Sequence, residues 1–208
     1  MKDGTDRKQH WDRVYEATQS TVGSWYQREP TRSLEILAEA DAGPERTIID
    51  VGGGDSTLVD AVLERHLGRM TVLDLSGAAL ARARARLGPR AKDVTWIEAD
   101  VTGVELPPCG YDVWHDRAVF HFLTDSGDRE RYVAAAARAL KRSGTLIVAT
   151  FGPEGPTRCS GLAVTRYRPE ELAREFGDAF ELLRGFEDVH RTPSGAEQQF
   201  TFAIFRRA

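Results

Sequence analysis

Residues 47–56 read TIIDVGGGDS, an apolar run that ends in an aspartate and three consecutive glycines. The apolar part, Thr47–Val51, has the length and β-branched side chains of a strand buried in a parallel sheet. Residues 56–66 follow with apolar side chains at helical spacing. Glycines between a strand and a helix permit a tight turn and let a ligand lie against bare backbone. The stretch therefore predicts an α/β fold with a ligand site at its first strand-to-helix turn.

Strands and helices alternate along the rest of the chain. Further strands are predicted at residues 70–75, 94–99, 111–116 and 145–151, and helices at 76–87, 129–140 and 169–176. Two alternating runs, 180–189 and 199–206, flank a Pro-Ser-Gly turn and predict an antiparallel hairpin. We therefore expect a doubly wound, mostly parallel seven-stranded sheet with helices on both faces and an antiparallel C-terminal hairpin strand. Residues 1–208 are predicted to form one domain, with a core over 45–206 and an N-terminal cap or lid over 1–30.

Composition argues against several classes of protein. The 208 residues carry a formal net charge of -4, which is untypical of a general nucleic-acid binder. We interpret the arginines within 82–90 as the solvated face of an Ala/Arg helix. Cys109 and Cys159 form neither a CxxC pair nor a metal-ligand cluster, so we expect no metal site and a reducing, cytoplasmic setting. We expect no signal peptide and no membrane span, because no apolar run approaches the roughly 20 residues that a span needs.

Acidic residues follow three successive predicted strands. Asp74 ends the second strand, where a carboxylate accepts hydrogen bonds from the ribose hydroxyls of an adenosine cofactor. Asp100, after the third strand, is placed to accept a hydrogen bond from the adenine amine. The G-x-G-x-x-G pattern of dinucleotide sites fails, because it requires glycine at Thr57, and no P-loop is present. Asp50, which precedes the glycines, suits a cationic cofactor such as S-adenosylmethionine (SAM) better than a pyrophosphate.

In this order along one chain, the motifs resemble those of the class I SAM-dependent methyltransferases. The resemblance covers about residues 45–206 and includes the reversed strand of the closing hairpin; Ser56 stands where the family loop has its last glycine. It implies that Asp50 holds the methionine amino group and that Gly52, Gly53 and Gly54, with Ser56, line the methionine moiety and sulfonium. The remaining residues that the resemblance implies are Asp74 at the ribose, Leu75 beside the adenine, Asp100 and Val101 at the adenine edge, and His115 near the methyl group.

The N-terminal segment resembles the segment that precedes the first strand in a subgroup of small methyltransferases, some of which act on protein lysines. It contains two aromatic pairs, Trp11 with Tyr15 and Trp25 with Tyr26. We expect Trp11 and Tyr15 to pack in the core. Trp25 and Tyr26 either close over SAM and exclude water or pack the segment onto the sheet, and the sequence does not separate the two.

Candidates for catalysis follow the fourth strand, in the stretch WHDRAVFHF at 114–122. His115 or His121 would act as a general base near neutral pH, and Asp116 and Arg117 would orient a substrate or each other. The alternatives are a packing role for His121 and an ordinary ion pair between Asp116 and Arg117. Cys159 is either a soft contact for the substrate or a small packing residue.

Three functions compete. The first is a methyltransferase that acts on an O, N or S atom of a small-molecule acceptor and releases S-adenosylhomocysteine (SAH). The small size of the chain favours it. The second is a protein-lysine methyltransferase, which the N-terminal resemblance permits. The third is a non-enzymatic SAM-binding or scaffold protein, and the acidic loop together with Asp74 and Asp100 argues against it.

Overall fold

The structure, a computed structural model, describes residues 4–18, 21–40 and 43–208, with burial and side chains from residue 6 onward. Its centre is a seven-stranded sheet, and a separate ribbon of two short strands lies after the fifth strand. In chain order the strands are β1 Thr47–Val51, β2 Arg69–Asp74, β3 Val94–Glu98, β4 Tyr111–Arg117, β5 Leu140–Phe151, the ribbon strands β6 Arg158–Cys159 and β7 Leu162–Ala163, β8 Phe180–Arg191 and β9 Glu197–Arg207.

The strand order of the large sheet is β3-β2-β1-β4-β5-β9-β8. The first five of these strands pair in parallel, and β9 pairs antiparallel with both β5 and β8. The predicted fold class is therefore confirmed, and the hairpin inserts its second strand between β5 and β8. Parts of the predicted segment 1–30, namely residues 1–3 and 19–20, lie outside the described residues, as do residues 41–42.

Six α-helices surround the sheet within the described ranges. They are α1 Gly4–Ala17, α2 Thr31–Glu39, α3 Leu58–Glu64, α4 Gly77–Leu87, α5 Ser126–Ala139 and α6 Pro169–Phe176. Ser76 caps α4 as its sequence position indicates, because its hydroxyl accepts the Ala79 N–H at 3.2 Å.

Two predicted boundaries are wrong. The fifth helix starts at Ser126 rather than 129, because the Asp125 carboxylate accepts the N–H groups of Gly127 and Asp128. The fifth strand begins at Leu140 rather than 145. Ser143 and Gly144 lie inside it, where Ser143 has a φ of +60° and the pairing of β5 with β4 shifts register.

Apolar side chains form one core on each face of the sheet. The first lies under α5 and α6 and includes Trp114 and Tyr132, and the second lies under α2, α3 and α4. Val113 and Trp114, consecutive residues of β4, lie in the second and the first core respectively, as a strand buried on both faces requires. Across the ranges described, every helix is too short or too polar to cross a membrane.

Candidate active site

The carboxyl ends of the first four parallel strands meet at one cavity. The glycine loop after β1 forms its floor, and the segments after β2, β3 and β4 form its sides. Its lining includes most of the residues singled out from the sequence, namely Trp25, Tyr26, Asp50, Gly52, Gly53, Ser56, Asp74, Leu75, Asp100, Val101, His115 and Arg117. Asp116 and His121 lie outside the lining, and Gly54 lies behind it, against Asp74 and Tyr15.

Glycine is required at the turn because the space for side chains is already filled. Gly52 has a φ of +68°, a region that other residues rarely adopt, and a Cβ there would lie 2.0 Å from Val119 Cγ2. At Gly53 a Cβ would lie 2.5 Å from Asp50 Oδ2, and at Gly54 it would lie 2.8 Å from Asp74 Oδ2. The bare loop therefore lets two carboxylates lie directly against its backbone.

Asp50 is held by a buried chain of hydrogen bonds. One carboxylate oxygen lies 2.7 Å from Nδ1 of His115, the residue opposite Asp50 on β4. The other ring nitrogen, Nε2, lies 2.9 Å from the Ser33 hydroxyl of α2. Both nitrogens of His115 are therefore engaged, and the ring orients Asp50. This is a different role from the general base considered for His115.

Asp74 is buried at the end of β2 and accepts the Ser76 N–H at 2.8 Å. Burial, with the negative charges of Asp50 and Asp12, raises the pKa of Asp74 to about 7, although the N–H groups of Ser76 and Leu75 oppose the shift. A hydroxyl-rich or cationic ligand at this carboxylate would favour its ionised form.

Asp100 has partners that the sequence did not predict. Its Oδ1 accepts the backbone N–H and the hydroxyl of Thr102, at 2.9 Å and 2.7 Å. Its Oδ2 lies 3.3 Å from the Arg7 guanidinium, which also lies 3.3 Å from Asp128. Arg7 thus ties the N-terminal helix to the edge of the cavity where adenine was expected.

The helix α1 closes one side of the cavity through several polar contacts. The Ser76 hydroxyl donates to Asp12 at 2.6 Å, and Lys8 lies 3.0 Å from Glu98. Trp11 and Tyr15, which were expected in the core, both line the cavity, although Tyr15 is also buried. The charged residues within 6–12 were the signal available for these contacts, but they did not identify their partners.

Aromatic packing continues from α1 into the next segment. The Tyr15 and Trp25 rings lie 5.5 Å apart in an edge-on arrangement, and Trp11 packs at 5.0 Å against Phe122. Trp25 and Tyr26 both line the cavity. They therefore combine the two alternatives that the sequence left open, since they pack the segment down and also face the cavity.

The basic stretch at 82–90 is not simply a solvated face. Arg86 forms an ion pair with the buried Asp55 of the glycine loop and lies 2.8 Å from Asp60 of α3. Arg82 donates to the Thr18 carbonyl at 2.6 Å. These two arginines therefore tie α4 to the glycine loop and to the N-terminal segment, whereas Arg84 stays exposed over the Trp96 ring.

Two of the proposed catalytic side chains have structural roles. Asp116 is fully buried and accepts the Tyr132 hydroxyl at 2.5 Å and the N–H groups of Val119 and Phe120 at 2.8 Å and 3.1 Å. Burial raises the pKa of Asp116 to about 6, although these hydrogen-bond donors act to lower it. It therefore fixes the turn after β4 rather than orienting a substrate, and it does not pair with Arg117. Side chains alternate between the two faces from Trp114 to Asp116, which places the Asp116 side chain on the α5 face. This period was the signal in the sequence that could have indicated its structural role.

His121 is likewise a core residue. It is fully buried between Phe122 and Phe151, and its Nδ1 accepts the Phe151 N–H at 3.2 Å. Burial lowers the pKa of His121 to about 3, so the ring is neutral at physiological pH. The packing alternative is correct, and a role as general base is not.

Arg117 and Cys159 line the cavity on the side away from β2 and β3. The Arg117 guanidinium lies 4.5 Å over the Phe200 ring and donates to the Trp25 carbonyl at 3.2 Å. Burial raises the pKa of the Cys159 thiol, so this cysteine is a neutral, weakly polar part of the wall.

Comparison with known proteins agrees with this geometry. Residues 48–144 match a protein family described as a methyltransferase domain. An uncharacterised methyltransferase of Mycobacterium tuberculosis is 31% identical over 104 residues, which cover 50% of this chain and 50% of that protein. An uncharacterised methyltransferase of Mycobacterium bovis matches to the same extent. The alignment thus spans about half the length of these relatives.

Solved structures share the fold over almost the whole chain. A SAM-dependent methyltransferase of Anabaena variabilis has a TM-score of 0.75 at 15% identity, covering 99% of this chain and 95% of its own. A protein from work on thioacetal formation in echinomycin biosynthesis has a TM-score of 0.75 at 17% identity, covering 97% and 92%. The 1,6-didemethyltoxoflavin-N1-methyltransferase of Burkholderia thailandensis, solved with that compound and SAH, has a TM-score of 0.64 at 19% identity, covering 86% and 77%.

Residues 48–144 therefore match a methyltransferase domain, and the sheet to which they belong has the fold of SAM-dependent methyltransferases of known structure.

Proposed function

We propose that this protein binds SAM in the cavity at the carboxyl ends of β1–β4 and transfers its methyl group to an O, N or S atom of a small-molecule acceptor. One observation carries the proposal: Asp50, Asp74 and Asp100 line the same cavity as a loop whose glycines leave no room for a Cβ. A cation with an adenosine group suits three carboxylates and bare backbone, whereas a pyrophosphate does not.

The residues at the cavity fit the chemical groups of SAM one by one. Asp50 would hold the methionine amino group, Gly52–Gly54 and Ser56 would line the methionine moiety, and Asp74 would accept the ribose hydroxyls. Leu75 and Val101 would contact the adenine. At Asp100 we revise the expectation, because Arg7 and Thr102 occupy its carboxylate. Arg7 must move if that carboxylate is to accept the adenine amine.

When bound, SAM supplies a methyl group on a positively charged sulfur, and the protein supplies position. His115 and Ser33 fix the Asp50 carboxylate, which limits where the methionine end can lie. Tyr15, Trp25 and α1 cover the cavity and exclude water. Alignment of an acceptor atom with the methyl carbon then provides most of the rate enhancement.

No free histidine among the described lining residues is available to remove a proton from the acceptor. Among the cavity-lining residues that the structure describes, His115 is the one histidine, and both its ring nitrogens are engaged. This supports an acceptor that reaches the site already deprotonated, or that loses its proton to water.

A small acceptor is favoured over a protein side chain because α1 and residues 25–27 cover the cavity. The Burkholderia neighbour, at 19% identity, binds the small molecule 1,6-didemethyltoxoflavin. We further propose that residues 1–208 act as one domain with 1–30 as its cap, and that the setting is cytoplasmic. The free thiols Cys109 and Cys159 support a reducing compartment.

Titration calorimetry with SAM, SAH and NADH tests the cofactor directly. We expect micromolar dissociation constants for SAM and SAH and no binding of NADH. No binding of either sulfur compound would overturn the proposal. Transfer of labelled methyl from SAM to a panel of small thiols, phenols, amines and acids, compared with transfer to lysate proteins, then separates the two acceptor classes. SAM binding without transfer to either would favour a non-enzymatic role.

A further inference from the structure

Arg117 is held rigidly at the end of β4. Its guanidinium stacks 4.5 Å over the Phe200 ring of β9. Its Nη1 donates to the Trp25 carbonyl at 3.2 Å. A stacked, hydrogen-bonded guanidinium presents its remaining N–H groups in a fixed direction. The side chain is therefore pre-organised, unlike the exposed arginines at the surface of the protein.

Its positive charge is not matched by any direct partner. The Nη2 atom is buried and has no hydrogen-bond partner, and no carboxylate of the described residues forms an ion pair with Arg117. The two carboxylates whose charges act on Arg117 are already engaged, Asp188 by Arg32 at 3.2 Å and Asp50 by His115 at 2.7 Å. Burial lowers the pKa of Arg117 to about 10, so the group stays charged at neutral pH.

A buried cation with an unused donor is costly for the folded protein unless an anion meets it. Arg86, whose role is structural, has such an anion in Asp55. Arg117 lines the cavity instead, beside the neutral Cys159. The missing partner is therefore expected to come from a ligand.

The position of Arg117 separates it from the cofactor's adenosine end. Asp74 and Asp100 follow β2 and β3, on one side of β1, whereas Arg117 ends β4 on the other side. The guanidinium lies on Phe200 of β9, and β9 is four strands away from β2. At a strand spacing of about 4.8 Å, this separation is roughly 19 Å. Asp74 and Asp100 thus lie in one half of the cavity, where Arg7 pairs with Asp100, and Arg117 lies in the other half without an ion pair among the described residues.

We infer that Arg117 binds an anionic group of the acceptor, so that the acceptors of this enzyme are small acids such as carboxylates or readily ionised thiols and phenols. The inference rests on the proposed function. It also accounts for the lack of a free histidine among the described lining residues, because an anionic nucleophile needs no general base.

The test is a binding experiment on the complex with SAH, using benzoate, phenylacetate and their amides as probes. Each acid and its amide have nearly the same shape and differ in charge. Calorimetry should show at least one acid binding tenfold or more tightly than its amide. In R117Q that acid should lose tenfold or more in affinity, while the dissociation constant of SAH changes less than twofold. R84Q, which removes a guanidinium stacked on Trp96 outside the cavity, is the matched control and should behave as the unmodified protein.

Each other outcome has a definite meaning. Equal binding of acids and amides, no binding of any probe, or unchanged acid binding in R117Q overturns the inference. A tenfold loss of SAH affinity in R117Q with acid binding retained also overturns it, because Arg117 would then serve the cofactor's own carboxylate. If R117Q does not fold, two measurements still test the inference. They are the comparison of acids with amides on the unmodified protein and the same comparison on the R117K variant. Failure of the unmodified protein to bind SAH refutes the proposed function, which is a separate result.

Discussion

Replacement of Gly52 by alanine tests the geometry of the glycine loop. The new Cβ would lie 2.0 Å from Val119 Cγ2 on a backbone with a φ of +68°. The left-handed backbone costs alanine about 1–2 kcal/mol, and overpacking of a tight contact costs about 1–3 kcal/mol. We therefore expect G52A to lower the free energy of unfolding by about 2–5 kcal/mol and to weaken SAH binding.

Two further variants separate the two contributions. Gly195 also has a positive φ, +86°, and nothing lies within 4 Å of its would-be Cβ. G195A should therefore lose only the backbone contribution of about 1–2 kcal/mol. V119A removes the methyl group that the Gly52 Cβ would meet, so adding it to G52A should restore about 1–3 kcal/mol, the coupling expected of residues in contact.

The assay is urea unfolding of the unmodified protein, G52A, V119A and the double variant, with SAH affinity measured in parallel. If G52A is no less stable than G195A, or if the stability changes of G52A and V119A simply add, the close approach of Gly52 to Val119 is wrong. The loop would then need its glycines for backbone conformation alone.

Three other predictions follow from the site. SAH affinity should rise about tenfold between pH 6 and 8 as Asp74 loses its proton, and calorimetry of D74N should show a flat profile. Because the folded pKa of Asp74 is raised, its contribution to the stability of the ligand-free protein is complete below about pH 4 and is lost as pH rises through 7. Y132F, which deprives the buried Asp116 of a donor, should lower the free energy of unfolding by about 1–3 kcal/mol in urea; a loss under about 0.5 kcal/mol would contradict that role. R7A, which removes the ion pair to Asp100, should speed SAH release about two- to fivefold in stopped-flow and reduce its salt dependence; an unchanged salt dependence would show that the pair does not hold the cap.

Local patterns were sufficient to predict the sheet and the side of it that carries the site. Short apolar runs followed by glycine or aspartate mark strand ends, and parallel strands bring those ends to one edge. The loop at 52–54, Asp74 and Asp100 were found in this way, and the cavity contains or adjoins all of them. Boundaries were less accurate where a capping side chain or a left-handed residue decided them, as at Asp125 and Ser143.

Contacts between distant parts of the chain were not predictable from the same patterns. His115 meets Ser33 across 82 residues, and nothing near either residue indicates the other. His115 therefore looked like a free base in the sequence and is an orienting group in the structure. Asp116 was different, since the period of two from Trp114 to Asp116 was enough to assign both side chains to the face that packs under α5.

The insertion of β9 between β5 and β8 has a consequence for the synthesis of the protein. β5 is complete at residue 151, but the strand that covers its outer edge begins only at Glu197. Until then a long apolar strand exposes a row of unpaired backbone groups, the kind of edge that pairs with other chains. The half of the cavity beside Phe200 also forms only when β9 docks. Chains that stop before Glu197 should therefore aggregate rather than persist as soluble fragments, and the nascent protein depends on its last strand to close the sheet.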